Sequence, residues 1–168
     1  LLVVYLLKQT NAKLVHAVAH ISSKDTEVYL AKYAFSPRAA CHLNASFIAH
    51  DRAYFDSHKH DLTLALYSDT AWPAYVDALR RGSLCAERLR LASWRVKVEP
   101  DAGSLASFHV AAEIAPPKSR AHYWYALVID CYLEEYDAHP PPLHYNLTLL
   151  NGGSHLPADE AGMPALNA

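Results

Sequence analysis

Alternating apolar and polar residues recur along the chain and predict a succession of β-strands. The clearest case is residues 41–50, where the odd positions are apolar and every even position except Ile48 is polar. A period of two with one apolar face is typical of a strand that buries one side. Residues 62–68 repeat this pattern, with three leucines facing inward. The same reasoning predicts strands at 13–20, 26–35, 94–99, 108–114, 123–131 and 143–149.

Two of these segments are apolar on both sides rather than on one. Residues 26–35 carry apolar side chains at odd and even positions, which favours a central strand covered on each face. Residues 123–131 form the most apolar segment after the N-terminus and are predicted to lie in the middle of a sheet.

A helical period occurs once, where four large apolar residues follow the spacing i, i+3, i+4 and i+7: Trp72, Tyr75, Val76 and Leu79. Asp69 or Thr70 can cap the start of this helix, and Pro73 is tolerated in its first turn. Gly82 can end the helix in the left-handed conformation. The pattern therefore predicts one short helix of about three turns.

Short strands, a single helix and the absence of a strand–helix alternation favour an all-β fold, an antiparallel β-sandwich of about eight strands. The chain has 168 residues, and a domain of about 150 residues buries close to 70% of the surface that its unfolded form exposes. No internal repeat or linker-like segment interrupts the pattern. We therefore predict one domain, of a size for which a self-sufficient core is feasible.

Composition and charge narrow the possible functions. The net charge is −2 at pH 7, so no nucleic-acid partner is expected. The basic residues at 80–81 and 88–90 are interpreted as solvated helix ends and loops. With five glycines and no Gly-x-Ser-x-Gly motif, the chain has neither a phosphate-binding loop nor a nucleophile elbow. We expect no catalytic activity and no cofactor.

Histidine is abundant, and the segment His58-Lys59-His60 invites a metal hypothesis. On a strand the two imidazoles would share a face and could chelate an ion. However, no Cys-x-x-Cys or His-Glu-x-x-His motif accompanies them. They are interpreted as a solvated loop pair, and no metal is predicted.

Residues 1–12 resemble the end of a secretory signal peptide, with an apolar run at 1–7 and a cleavage position near Ala12 or Ala17. The alternative is a first β-strand of the domain. No apolar run approaches the roughly 18–20 residues that a membrane-spanning helix needs. The domain itself is predicted to span residues 13–166.

Two N-glycosylation sequons occur, at Asn44-Ala45-Ser46 and Asn146-Leu147-Thr148. Both asparagines fall on the outward side of a predicted strand, where a glycan could be accommodated. Together with a leader peptide, they favour glycosylation in the secretory pathway. The alternative is that both are ordinary polar strand residues.

The chain has three cysteines, so one disulfide within the chain would leave one cysteine unpaired. Cys85 follows the predicted helix, Cys131 ends the apolar strand, and Cys41 falls on an inward position. We predict a Cys85–Cys131 disulfide with Cys41 free and buried. The alternative is three packed thiols in a reducing compartment.

Several short segments, in order, resemble the lumenal N-terminal domain of the intimal-thickness-related receptor family. These are seven-helix membrane proteins with a Golgi-dynamics (GOLD)-like β-sandwich before the first span. The matching segments are 13–15, 22–24, 28–35, 64–69 with Trp72-Pro73, Cys85, 123–127 running to Cys131, and 143–152 followed by His155 and 158–162. The second strand departs from the family pattern, because Tyr33 or Ala34 stands where the family has a cysteine.

The resemblance implies the extracytoplasmic domain of a receptor-like membrane protein, anchored by a C-terminal seven-helix region. Its expected roles are signalling of the G-protein-coupled type, pheromone response or secretory trafficking, at the Golgi or the plasma membrane. An unknown protein or small ligand is the expected partner, at a surface formed by Trp72, Tyr75 and Trp124. The alternative is a secreted β-sandwich module that binds glycans or proteins.

Overall fold

The computed structural model describes residues 13–99, 101, 106–116, 120–135 and 137–152, so the predicted leader, residues 1–12, lies outside the described residues. Within these ranges there are eight strands and three α-helices. The strands are β1 (Lys13–Ala19), β2 (Glu27–Phe35), β3 (Cys41–Ala49), β4 (Leu62–Ser68), β5 (Trp94–Lys97), β6 (Ser107–Ile114), β7 (His122–Asp130) and β8 (Leu143–Asn151). The helices are α1 (Arg52–Ser57), α2 (Trp72–Arg80) and α3 (Cys85–Arg90), and a 3-10 turn covers Cys131–Glu134.

The strands form two antiparallel sheets that pack face to face. The first sheet has the order β1-β8-β3-β6, and the second has the order β2-β7-β4-β5. Every pairing is antiparallel. The predicted all-β antiparallel sandwich is therefore confirmed.

The core lies between the sheets and follows from the alternation in the sequence. In β3 the apolar odd positions are buried and most of the even ones are exposed, so Phe47 points inward beside Phe108 of β6. From the second sheet, Phe35 and Leu64 meet these side chains. Aromatic side chains bury large areas, and this interior supplies most of the free energy that favours folding.

Segment 26–35 is not a central strand, contrary to the prediction, because β2 lies at the edge of the second sheet. A bulge between Tyr29 and Ala31 inserts one extra residue, so the inward positions change parity along the strand. Leu30 and Ala31 are consequently both buried. This parity change explains why the strand is apolar at odd and even positions. β7, by contrast, does lie between two strands, as predicted.

Helix α2 is present where predicted, with Pro73 in its first turn and Gly82 at a positive φ of 69° just beyond its end. The predicted cap is wrong: the N-cap is Ala71, and no side chain caps the helix. Helices α1 and α3 were not predicted. Each has only six residues, which is less than two turns and too short to display a helical period.

Strand β1 bears on the predicted cleavage position. It begins at Lys13, and Ala17 pairs with Tyr145 of β8. Cleavage at Ala17 would remove most of this strand, whereas cleavage at Ala12 would leave it intact.

Candidate binding groove on the second sheet

Helices α2 and α3 cover the outer face of the second sheet. Residues of β4 and β7 that point away from the sandwich interior are buried beneath these helices: Ala65, Tyr67, Leu127 and Ile129. A disulfide between Cys85 and Cys131, with their Cα atoms 5.4 Å apart, joins the start of α3 to the end of β7. The predicted bridge is thus present, and Cys41 is free and buried as expected. The two helices and the sheet form a second, smaller core.

A cluster of aromatic rings fixes α2 to the sheet. The Trp72 ring stacks on that of Tyr125 in β7, with centroids 4.2 Å apart and planes 9° from parallel. Tyr75, one turn along α2, lies 4.9 Å from Trp72 and 4.6 Å from Tyr67 in β4. Aromatic pairs contribute about 0.5–1.5 kcal/mol beyond the area they bury. At the outer edge of the cluster, the exposed Tyr29 of β2 lies 6.4 Å from Trp72.

A groove of about 360 Å³ runs between α2 and the start of β2. Its walls are mainly aromatic and aliphatic and include Tyr29, Trp72, Tyr75, Val76 and Leu79. Its floor and rim contain the segment 24–27 and Arg88. This volume is at the lower end of the range for small-molecule sites, and an apolar cleft with a few polar groups is their usual composition.

A buried charge pair lies in the groove. Arg88 Nε is 2.9 Å from Glu27 Oε1, and both side chains are less than a tenth exposed, at 9% and 8%. The guanidinium also donates to Thr26 Oγ1 at 3.3 Å and to the backbone carbonyl of Ser83. A second carboxylate, that of Glu134, lies 3.6 Å from Arg88. Two acids thus face one base, and of the three side chains only that of Glu134 is partly exposed, at 29%.

The Glu27 carboxylate retains hydrogen-bonding capacity. Neither of its oxygens accepts a hydrogen bond of normal geometry among the described residues. The Tyr75 hydroxyl approaches Glu27, and burial together with the Glu27 charge raises the pKa of Tyr75. Burial likewise raises the pKa of Tyr67, whose hydroxyl donates to the Arg88 carbonyl at 3.1 Å. Both phenols are therefore protonated at neutral pH, and the groove combines aromatic walls with a buried carboxylate.

Of the three residues predicted to form a partner surface, Trp72 and Tyr75 line the groove, whereas Trp124 does not belong to it. Trp124 is buried between the sheets, 6.2 Å from Phe35. Successive residues of a strand point to opposite faces, so the next residue, Tyr125, is the one that meets Trp72.

Two groove residues were missed from the sequence. Arg88 was interpreted as solvated, but it is buried, at 7% exposed, because α3 turns it toward Glu27. Glu27 was treated only as part of a strand. Neither side chain carries a local signal, since the pair joins residues 61 positions apart (88 − 27). An acid within an apolar strand was the one hint available.

The sequon asparagines lie on the opposite side of the sandwich. Asn44 in β3 and Asn146 in β8 are both exposed on the outer face of the first sheet.

The imidazoles of His58 and His60 pack against different aromatic neighbours, although His60 Nδ1 lies 3.2 Å from the backbone carbonyl of His58. His58 stacks on Tyr54 with centroids 4.3 Å apart, whereas His60 contacts the edges of Phe55 and Phe108. Among the described residues no group of three His, Cys, Asp or Glu side chains could hold a metal ion.

No protein-family model matches the chain, and no curated protein matches its sequence. In the part of the chain that the structure describes, no helix is both long and apolar enough to cross a membrane.

Proposed function

We propose that this chain is a non-catalytic binding domain that acts on the lumenal or extracellular side of a membrane. The groove on the second sheet carries this proposal. Its floor holds a buried ion pair with unused hydrogen-bonding capacity, which is costly for stability because desolvating two charges is only partly offset by their attraction. Such groups converging on an aromatic-walled cleft are a common feature of binding sites.

Two features support the location. A disulfide such as Cys85–Cys131 persists in oxidising compartments and is rare in the cytosol. Both sequons lie on exposed strand positions, where a glycan can be carried. They support a glycoprotein of the secretory pathway, at the Golgi or the plasma membrane.

The family resemblance supports a finer proposal. The domain would stand before a seven-helix membrane region and bind a protein or small ligand in receptor-type signalling, pheromone response or secretory trafficking. No cofactor and no nucleic acid enter this proposal. A coding sequence that continues past Ala168 into seven apolar segments would favour it.

The second candidate is a secreted module that binds glycans or proteins. The exposed ring of Tyr29 beside Trp72 favours it, because tyrosine and tryptophan combine an apolar face with a polar group at binding surfaces. Binding to a glycan array that is lost in Tyr29→Ala would support this candidate.

The proposal is tested by measuring how a multimerised form of the domain binds to intact cells, using flow cytometry. Tyr29→Ala removes a groove wall, and Val76→Trp fills the groove, so each variant should lower binding by at least about tenfold, or about 1.4 kcal/mol. Ile48→Thr, on the other sheet, is the matched control and should bind normally.

Treating the cells with protease or with glycosidase separates a protein partner from a glycan partner. Near-UV circular dichroism checks that each variant is folded. Normal binding by both folded groove variants would contradict the proposal.

A further inference from the structure

The outer face of the first sheet is bare and almost uncharged. No described helix packs on it, and three aliphatic side chains are 40–49% exposed there: Leu14, Val18 and Ile48. Glu113 is the only acidic or basic residue other than histidine among the described outward positions of its four strands. An exposed sheet face of this composition is a surface on which copies of a protein can associate.

The two sequons converge on this face. They are 102 positions apart along the chain (146 − 44), yet β3 and β8 are neighbours. Asn44 pairs directly with Thr148, and Ser46 pairs directly with Asn146. Each acceptor asparagine thus faces the hydroxyl residue of the other sequon.

The two asparagines are not equivalent in the folded domain. The Asn146 amide donates from Nδ2 to Ser46 Oγ at 3.3 Å, and its Oδ1 contacts His16 Nδ1. No side-chain hydrogen bond involves Asn44 among the described residues, and Asn44 is exposed. A glycan on Asn44 interrupts no described side-chain hydrogen bond, whereas one on Asn146 replaces an amide hydrogen beside Ser46 and adds bulk next to His16.

We propose that Asn44 carries an N-linked oligosaccharide that covers this sheet face, and that Asn146 is unmodified in the secreted, folded protein. The inference rests on the lumenal location in the proposed function. Transfer forms a bond between Asn44 Nδ2 and the anomeric carbon of a lipid-diphosphate-linked oligosaccharide. The bond from that carbon to the diphosphate breaks, the lipid diphosphate leaves, and the amide loses one proton.

Spacing limits the face to one glycan. Asn44 and Asn146 are diagonal neighbours, whose Cα atoms in an antiparallel pair lie about 7–8 Å apart. Side chains stand roughly perpendicular to a sheet, so two branched oligosaccharides would leave side by side and overlap. A chain modified at both positions would therefore fold poorly.

The order of synthesis favours Asn44. Strand β8 is the last strand described, and it inserts between β1 and β3. At about 5–20 residues per second, the separation of 102 positions between the asparagines gives Asn44 a lead of roughly 5–20 s. The glycan at Asn44 is then in place before β8 completes the sheet.

The test is to secrete the chain, behind a heterologous signal peptide, from mammalian cells and to map its glycans by peptide mass spectrometry. One glycan, at Asn44, is expected in the wild type and in Asn146→Gln. Ser46→Ala should lose it, whereas the matched variant Ser46→Thr should keep it. Secreted protein with glycans at both asparagines, or only at Asn146, would overturn the inference and leave the proposed function standing. Secreted protein without any glycan would also overturn the inference, and it would leave the binding role of the groove untouched.

A second measurement tests the covering role without depending on secretion yield. Removal of the glycan from the folded wild type should increase self-association at least about threefold by analytical ultracentrifugation. Removal of the glycan from Ile48→Lys should not increase self-association, because a charged side chain replaces the exposed aliphatic one. Unchanged self-association of the deglycosylated wild type would refute the covering role.

Discussion

The two outer faces of the sandwich differ although both are built from strands with the same period of two. On the second sheet, outward residues such as Tyr67 and Leu127 are buried under α2 and α3. On the first sheet, outward residues such as Ile48 are exposed to solvent. The difference comes from one connection, because residues 69–93, between the paired strands β4 and β5, contain both helices.

This comparison shows that the direction in which a strand residue points does not by itself decide whether it is buried. A connection that returns over the same sheet converts a solvent-facing layer into a second core. That second core carries the groove and its ion pair, whereas the bare face carries the sequons. Helices α2 and α3 together form a helix layer on the second sheet. Substitutions can show how strongly this layer is held to the sheet and how differently the two outer faces respond.

The largest effect is expected from removing the disulfide that holds α3 to the second sheet. In the chain-entropy model, a bridge across a sequence separation of 46 contributes about 4 kcal/mol. The double variant Cys85→Ser, Cys131→Ser should lose about that much unfolding free energy in urea titration. Cys41→Ala, at the free buried cysteine, is the control and should lose about 1 kcal/mol. A loss below about 1 kcal/mol in the double variant would show that the helix layer does not depend on the bridge.

The next effect is expected at the ion pair in the groove. Arg88→Met leaves the Glu27 carboxylate buried without its partner, which should cost about 3 kcal/mol by urea titration. Combining it with Glu27→Leu should recover most of this loss, because no uncompensated charge remains. Arg90→Met, exposed on the same helix, is the matched control and should change stability by less than about 0.5 kcal/mol. If the double variant were as unstable as Arg88→Met, the unpaired buried charge of Glu27 would not be the cause of the stability loss in Arg88→Met.

A direct contrast between the faces comes from truncating one outward residue on each. Leu127→Ala opens a cavity beneath the helices and should cost about 2.5 kcal/mol. Ile48→Ala, outward on the first sheet and 40% exposed, should cost less than about 1 kcal/mol. Thermal and urea unfolding of both variants measure the difference. Equal losses would mean that the helices do not seal the second sheet.

Much of the fold was predictable because strand periodicity is a local signal. The alternation in residues 41–50 and the apolar segment at 123–131 identified β3 and β7, and one helical stripe identified α2. The disulfide was also predicted. The edge position of β2 was not, because the bulge after Tyr29 imitates a strand covered on both faces.

Only the part of the groove that belongs to helix α2 could be predicted from the sequence. Trp72 and Tyr75 belong to the helical stripe and were identified, but the stripe cannot show which sheet residue it meets. Trp124 and Tyr125 are adjacent, and only the register of β7 decides which of them faces outward. The pairing of Glu27 with Arg88 is set by tertiary structure alone.

The smallest effect concerns the residue at which the chain enters the helix layer. Asp69, just before α2, binds His122 Nδ1 at 2.7 Å and Arg120 at 2.8 Å. Burial alone would raise the pKa of Asp69, but the hydrogen bonds and charges of these two partners lower it below its ordinary value. The carboxylate form is therefore the one that ties the helix layer to the start of β7.

The pH dependence of this contribution has a definite sign. Because the pKa of Asp69 is lower in the folded state, the unfolded state binds more protons, and stability rises with pH through this region. The contribution is complete above the unfolded pKa of about 3.9 and is lost as the pH falls through the folded value. Asp69→Asn should therefore cost about 1 kcal/mol at pH 7 and progressively less as the pH falls through the folded pKa of Asp69.

The decisive measurement is the difference in unfolding free energy between wild type and Asp69→Asn from pH 7 to pH 2. Burial raises the pKa of Asp130, so the contribution of this residue to stability falls as the pH rises, opposite to that of Asp69. Asp130 is present in both proteins, so its effect cancels in the difference. A difference that stays constant with pH would mean that Asp69 acts through packing rather than charge. Asp69 would then make no electrostatic contribution to holding α2 and α3 on the second sheet.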